Sequence, residues 1–228
     1  MPLPSNPVDR LTTKITKNLG RTGDSNVADL VLDWVNDTQK KIGNRNNFWF
    51  MHAVQTDTWN AGDLSKSVPS GYKGIDNVFY SVAGVLGWTE IDSMDLEDYR
   101  KRYDDTTTGS PEAYLIREAP TSDYILRPVP NKTYSVDFLF WKYLDDLVAS
   151  GTTNLLLSNY SEILESGGTQ RGFEFLQEWD DAKVWENRFE MFYRDLTAEN
   201  AERELPDELV LKARPDVKGT TIGTFRGR

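Results

Sequence analysis

The residue types that usually do chemistry are scarce in this chain of 228 residues. It has no cysteine and one histidine, His52. Disulfides, thiolate metal sites, histidine pairs for zinc and Cys–His nucleophile pairs are therefore excluded. A Ser-His-Asp triad would have to use His52, which lies in the strand-like "FWFMHAVQTD", where a histidine satisfied by hydrogen bonds is expected. Carboxylates remain, because paired Asp and Glu can divide acid and base roles. "EIDSMDLEDYRKRYDD" holds Glu90, Asp92, Asp95, Glu97, Asp98, Asp104 and Asp105, with Arg100, Lys101 and Arg102 as ready partners. A solvated, salt-bridged helix face is the expectation there. "EWDDAKVWE" adds Glu178, Asp180, Asp181 and Glu186, acids near a helix start, where they favour the macrodipole. No glycine motif for phosphate follows a strand. "GTTIGTFRGR" has glycines and basic residues, but no helix pattern follows it to hold phosphate.

The seven tryptophans are a second candidate set, since exposed indoles stack on sugars. Trp34 and Trp185 fall on helical apolar stripes and Trp141 on an apolar strand, so these are expected in the core. Trp49, Trp59 and Trp88 are expected to be partly exposed, which keeps a glycan-binding module open as an alternative to an assembly subunit.

These groups must be positioned by a chain that is 38% hydrophobic and 12% aromatic, which predicts compact cores built from few, large side chains. No apolar run approaches the roughly 20 residues of a membrane span. The start, "MPLPSNPVDRLTTK", lacks the apolar centre of a secretory signal, so a soluble protein made where it folds is expected. The net charge of −10 argues against wrapping nucleic acid. From residue 212 onward, Lys212, Arg214, Lys218, Arg226 and Arg228 face only Asp216; that segment nets +4 and leaves −14 on the rest.

Periodicity supplies the elements. "VDRLTTKITKNL" predicts a short helix ending at Gly20. A second helix is capped by Asp24 or Ser25, presents Val27, Leu30, Val31, Trp34 and Val35 on one face, and stops at Gly43. From about Asn47 the period changes to two. "FWFMHAVQTDTW", "NVFYSVAGVL", "EAYLIREA", "DYILRPV" and "TYSVDFLFWKYL" predict an antiparallel meander, with a polar helix in "MDLEDYRKRYDD". In the last strand Tyr134, Val136, Phe138 and Phe140 take one face. Leu139, Trp141 and Tyr143 need a cover on the other. Helical spacing returns after residue 154, interrupted by Gly167, Gly168 and Gly172, where either the helix breaks or a partner comes close. Ala182, Trp185, Phe189, Phe192 and Leu196 form a heptad-like stripe on the last helix, which Pro206 closes.

The expected fold is α+β. A helical bundle is built from residues 1–46 and 147–205, an antiparallel β-sheet domain is inserted at residues 47–146, and residues 206–228 form an extended basic arm. A strand apolar on both faces, a heptad-spaced helix and a basic arm on an acidic body suit a subunit of a larger assembly.

Several local patterns resemble the head-to-tail adaptor (connector) proteins of tailed bacteriophages. They are the capped helix running into "NNFWFM", then Gly109, Pro111 and Tyr114, then Leu126, Pro128, Pro130 and Tyr134, and finally Ala182, Trp185 and Phe189. The resemblance covers about residues 24–200 and consists of structural signatures. Gly167 and Gly168 depart from it, since that helix is often Ala-rich there. The resemblance implies a virion protein at the portal vertex, made in the host cytoplasm, that forms a ring of about twelve subunits. It implies the portal and tail proteins (nozzle, tube or terminator) as partners, DNA passing through the channel without sequence-specific binding, no membrane, no reaction and no cofactor. Within that role Lys212, Arg214, Lys218, Phe225, Arg226 and Arg228 are expected to dock on the portal or a neighbour. Trp141, Trp185, Phe189 and Phe192 are expected to pack in the bundle or between subunits.

Overall fold

The computed structural model describes residues 6–82, 85–103, 106–117, 122–149 and 153–204. Helix α1 spans Pro7–Asn18; the Asn6 side chain accepts from the Val8 N–H at its start, and Gly20, at φ 65°, lets the chain turn after it. Helix α2 spans Ser25–Arg45 and is capped by Asp24. It runs past Gly43, where a stop is expected. That glycine is buried, and the Met51 methyl comes within 3.4 Å of where its Cβ would lie. The first strand likewise starts later than its aromatic run suggests. Trp49–Met51 is a single 3-10 turn, and strand β1 is His52–Trp59.

Eight more strands and four more helices follow. They are β2 (Lys66–Ser67), β3 (Tyr72–Val82), β4 (Thr89–Ser93), α3 (Leu96–Arg102), β5 (Thr108–Gly109), β6 (Ala113–Arg117), β7 (Asp123–Arg127), β8 (Val129–Pro130), β9 (Tyr134–Lys142), α4 (Leu155–Asn159), α5 (Ser161–Phe175) and α6 (Trp179–Glu204). The main sheet runs β1-β9-β3-β4-β6-β7-β2, and β5 pairs with β8 beside it. The expectation of an antiparallel meander is corrected here. β4 and β6 pair in parallel, as do β5 and β8, so the sheet is mixed. The physical reason is the crossover through α3, which carries the chain back before β6 begins. β7 and β9 flank a short turn yet do not pair. β9 sits between β1 and β3, while β7 sits between β6 and β2.

They meet instead across a curl. Tyr124 of β7 lies 4.7 Å, ring to ring, from Phe138 of β9 and 5.3 Å from Trp59 of β1. The Trp59 indole donates to the Tyr124 hydroxyl at 3.3 Å, and that hydroxyl donates to Asp57. The inner face of the curl is the core of the β layer, formed by Trp59, Val78, Tyr124, Leu126, Tyr134, Val136, Phe138 and Phe140 among others. Trp59, a candidate for partial exposure, is fully buried there.

The helices share a second core. α5 is unbroken and contacts α1, α2 and α6. Its glycines mark close approach, not interruption. A Cβ on Gly167 would meet the Thr38 methyl, Thr38 Oγ1 at 2.8 Å and Phe189 at 3.1 Å. One on Gly168 would lie 2.8 Å from Ile15, and one on Gly172 would lie 2.5 Å from Leu19.

Two predictions follow from these cores. Gly167→Ala is expected to destabilise the fold by about 1–3 kcal/mol through overpacking. Gly74→Ala, where nothing lies within 4 Å of the added methyl, is expected to change it by less than about 0.5 kcal/mol; urea unfolding of both measures the contrast. Burial, and then the bond to Asp57, raise the Tyr124 phenol well above its ordinary range. A raised folded value means stability that is present below about pH 10 and is lost as the unfolded phenol ionises above it. Tyr124→Phe is therefore expected to cost about 1–3 kcal/mol at neutral pH and to make the alkaline loss shallower, as read from denaturant midpoints at neutral and alkaline pH.

Candidate functional site

The carboxylates that could have formed a catalytic pair are dispersed among cations. Glu97 pairs with Lys101 at 2.5 Å and Asp98 approaches Arg102 at 3.9 Å, both along the exposed α3. Asp95 is the cap of that helix. Glu90 and Asp92 lie on β4, and Asp104 and Asp105 lie outside the described residues. Asp92, Asp95, Asp98 and Glu112 line one polar cleft, with Arg102 among them. Glu178 meets Arg21 at 3.9 Å. His52 is held by Asp76, Nε2 to Oδ2 at 3.0 Å, beside the Trp141 ring. Among the described residues no group of three or more His, Cys, Asp or Glu could hold a metal ion, and no helix is long and apolar enough to cross a membrane.

The tryptophans do not assemble into a platform. Trp34 is buried. Trp141 and Trp185 pack against the helical core, the latter with the Arg188 guanidinium 4.5 Å above its ring. The two most exposed, Trp88 and Trp179, belong to different layers: one precedes β4, the other opens α6.

What the structure does build is a firm joint between the layers. Two bulges in β3, at Lys73 and Asp76, turn single side chains out of register with β9. Asp76 reaches His52 on β1. Lys73 reaches the C-terminal end of α2, donating to the Asn46 carbonyl at 2.8 Å and to Asn47 Oδ1 at 2.5 Å. Burial lowers the Lys73 ammonium from its ordinary range. On the other side of α2, Asn36 exchanges two hydrogen bonds with the backbone of Leu147, at 3.1 and 2.8 Å. Gln39 donates to the carbonyls of Leu144 and Asp145 and accepts from Asn154 at 2.7 Å. The segment that returns from β9 to α4 is thus clamped along α2. These amides were missed in the sequence. A polar residue at a helical core position was the available signal, and Asn36 and Gln39 lie one turn apart on the same flank of α2.

Of the residues singled out for packing, Phe189 is fully buried, and Trp185, Phe192 and Trp141 pack against the same helical core within this one chain. Lys41 and Arg45 of α2 lie over the Phe189 ring at 4.5 and 5.4 Å. Lys212, Arg214, Lys218, Phe225, Arg226 and Arg228 lie outside the described residues. Unpartnered apolar side chains are elsewhere. Val54 and Leu139 are paired neighbours on the outer face of the sheet, with Val54 56% exposed. Leu86 and Trp88 stand exposed between β3 and β4.

No curated protein matches the chain. The family model described as SU10 adaptor protein matches residues 7–210, a span that contains both layers and the joint between them. The chain belongs to the SU10 adaptor protein family, a family of phage head–tail adaptors, and is a structural component that meets other head or tail components of the virion.

Proposed function

We propose that this chain forms a ring of about twelve copies beneath the portal of a tailed phage, joins the portal to the tail and extends the channel through which DNA passes. The family match over residues 7–210 carries this reading. The role is mechanical, with no reaction or cofactor. Its setting is the portal vertex of a virion assembled from proteins made in the host cytoplasm. The tail-side partner is a nozzle, tube or terminator protein.

Physical features support the reading. A ring subunit needs two different side faces, and unpartnered apolar residues sit on both the sheet (Val54) and its β3–β4 connection (Leu86, Trp88). A chain of net charge −10 lining a channel repels phosphate, so the genome slides instead of sticking. The helices act as the bundle of the ring body, from which the C-terminal arm projects. In this reading Lys212, Arg214, Lys218, Arg226 and Arg228 bring positive charge to the portal or an adjacent subunit, and Phe225 adds an apolar anchor.

Negative-stain imaging of the protein mixed with its portal is expected to show ring-shaped additions to the portal; clean portals at saturating protein would sink the adaptor ring. Truncation before Pro206 is expected to leave the body folded while head–tail joining fails, and particles of normal stability would refute the arm. Val54→Asp is expected to change subunit stability by less than about 0.5 kcal/mol and to lower ring yield on the portal. Unchanged yield would remove the outer sheet face from the interface.

A further inference from the structure

The chain leaves α6 beside Trp49. The Arg203 guanidinium lies 4.3 Å from the Trp49 ring centre, and Asn200 accepts the Trp49 backbone N–H at 2.8 Å. The indole Nε1 of Trp49 is buried and has no hydrogen-bond partner among the described residues. Buried donors are rarely left so. The next residue, Phe50, lines two adjoining clefts at the joint of the layers, of about 320 and 280 Å³. Both clefts share Met51, Tyr143 and Leu144. The larger is floored by Ile42, and the smaller opens toward Asp145 and Asp146. An apolar trough thus leads to an acidic rim. Each acid already meets one lysine, Lys142 or Lys40, at 3.0 Å, and both remain exposed with spare acceptor sites.

Beyond Glu204 the sequence reads "LPDELVLKARP", with Leu209, Val210 and Leu211 followed by Lys212 and Arg214. An apolar run beside basic residues matches an apolar trough beside an acidic rim in character. The five residues from Leu205 to Leu209 span up to roughly 17 Å when extended, and they begin two residues beyond Arg203, which contacts Trp49.

We propose that Leu209, Val210 and Leu211 seat in this groove of their own chain. The intervening residues then cover Trp49 Nε1, and Lys212, in place of the outward contact assigned to it above, faces the Asp145–Asp146 rim, which leaves Arg214, Lys218, Phe225, Arg226 and Arg228 to reach outward. This rests on the adaptor reading for its purpose: a root fixed at the joint sets where the basic arm departs from the body, so the arm is aimed.

Because the chain has no cysteine, Ala213→Cys provides a single attachment point for a nitroxide on the full-length protein. The label is expected to broaden the Met51 methyl and the Tyr143 and Leu144 amide signals, independently of dilution. No broadening is expected between a spin-labelled copy and a separate isotope-labelled copy. Leu209→Asp with Leu211→Asp is expected to abolish the broadening and to speed exchange of the Trp49 indole proton, while the other amide signals hold their positions. Absence of broadening in the parent, its survival in the double variant, or its appearance only between copies would each overturn the proposal. These measurements use the isolated subunit. Clean portals on imaging alongside a seated segment would therefore refute the adaptor reading and leave the groove contact standing.

Discussion

Everything in the helical layer depends on how closely α1 and α2 approach α5. Nine of the fifteen residues of α5 are buried, including Gly167, Gly168 and Gly172. Each glycine costs about 1 kcal/mol of helix propensity relative to alanine. In exchange Thr38, Ile15, Val35, Leu19 and Trp34 come to rest almost on the α5 backbone. Dispersion falls steeply with distance, so close seating gives more contact atoms per residue than a larger side chain would at wider spacing. An Ala-rich helix at this place would hold the same neighbours farther off. The fully buried Phe189 of α6 also uses that room, since its ring would lie 3.1 Å from a Cβ on Gly167.

That seating fixes α2, and α2 in turn fixes the sheet. Asn36 and Gln39 lie on the flank of α2 that faces the returning segment, so any rotation of the helix breaks amide–backbone bonds at Leu144, Asp145 and Leu147 together. At the far end, Lys73 ties β3 to the carbonyl end of the same helix. Buried bonds of this kind contribute modestly when made and cost more when one partner is left unpaired. The joint is therefore resistant to hinge motion. A structural adaptor that meets other head or tail components needs that property more than it needs a cavity.

Much of this was legible from residue patterns, and the exceptions have physical causes. The apolar stripes of α2 and α6 are visible because each helix buries one face, and Val31, Phe189 and Leu196 are where periodicity puts them. The inner face of β9 was readable for the same reason. Strand order was not. Alternation tells which side of a strand is wet and says nothing of its neighbour, so β7 and β9 looked like a hairpin although each pairs elsewhere. Trp59 misled because a tryptophan at a strand end beside turn residues looks solvated; a curl that brings β7 over β1 is invisible locally. The glycines of α5 left two readings open, and only the positions of Thr38 and Leu19 choose between them.

The distribution of exposed apolar side chains bears on how such a subunit avoids assembling too early. The heptad stripe of α6 packs inside the chain, with Ala182, Phe189 and Leu196 buried and Trp185 and Phe192 partly so. The apolar side chains that remain exposed are spread over several elements, among them Val54 on the sheet, Val85, Leu86 and Trp88 at one end of it, Leu96 on α3, Phe175 on α5, and Trp179, Val184 and Met191 along α6. A single contiguous patch would drive pairing of free subunits. Separated residues, each with a small area, give weak contacts singly and a stable interface only when a template holds several in register, because linked weak contacts act at high effective concentration. A subunit built this way stays apart until a partner surface offers several of these contacts together.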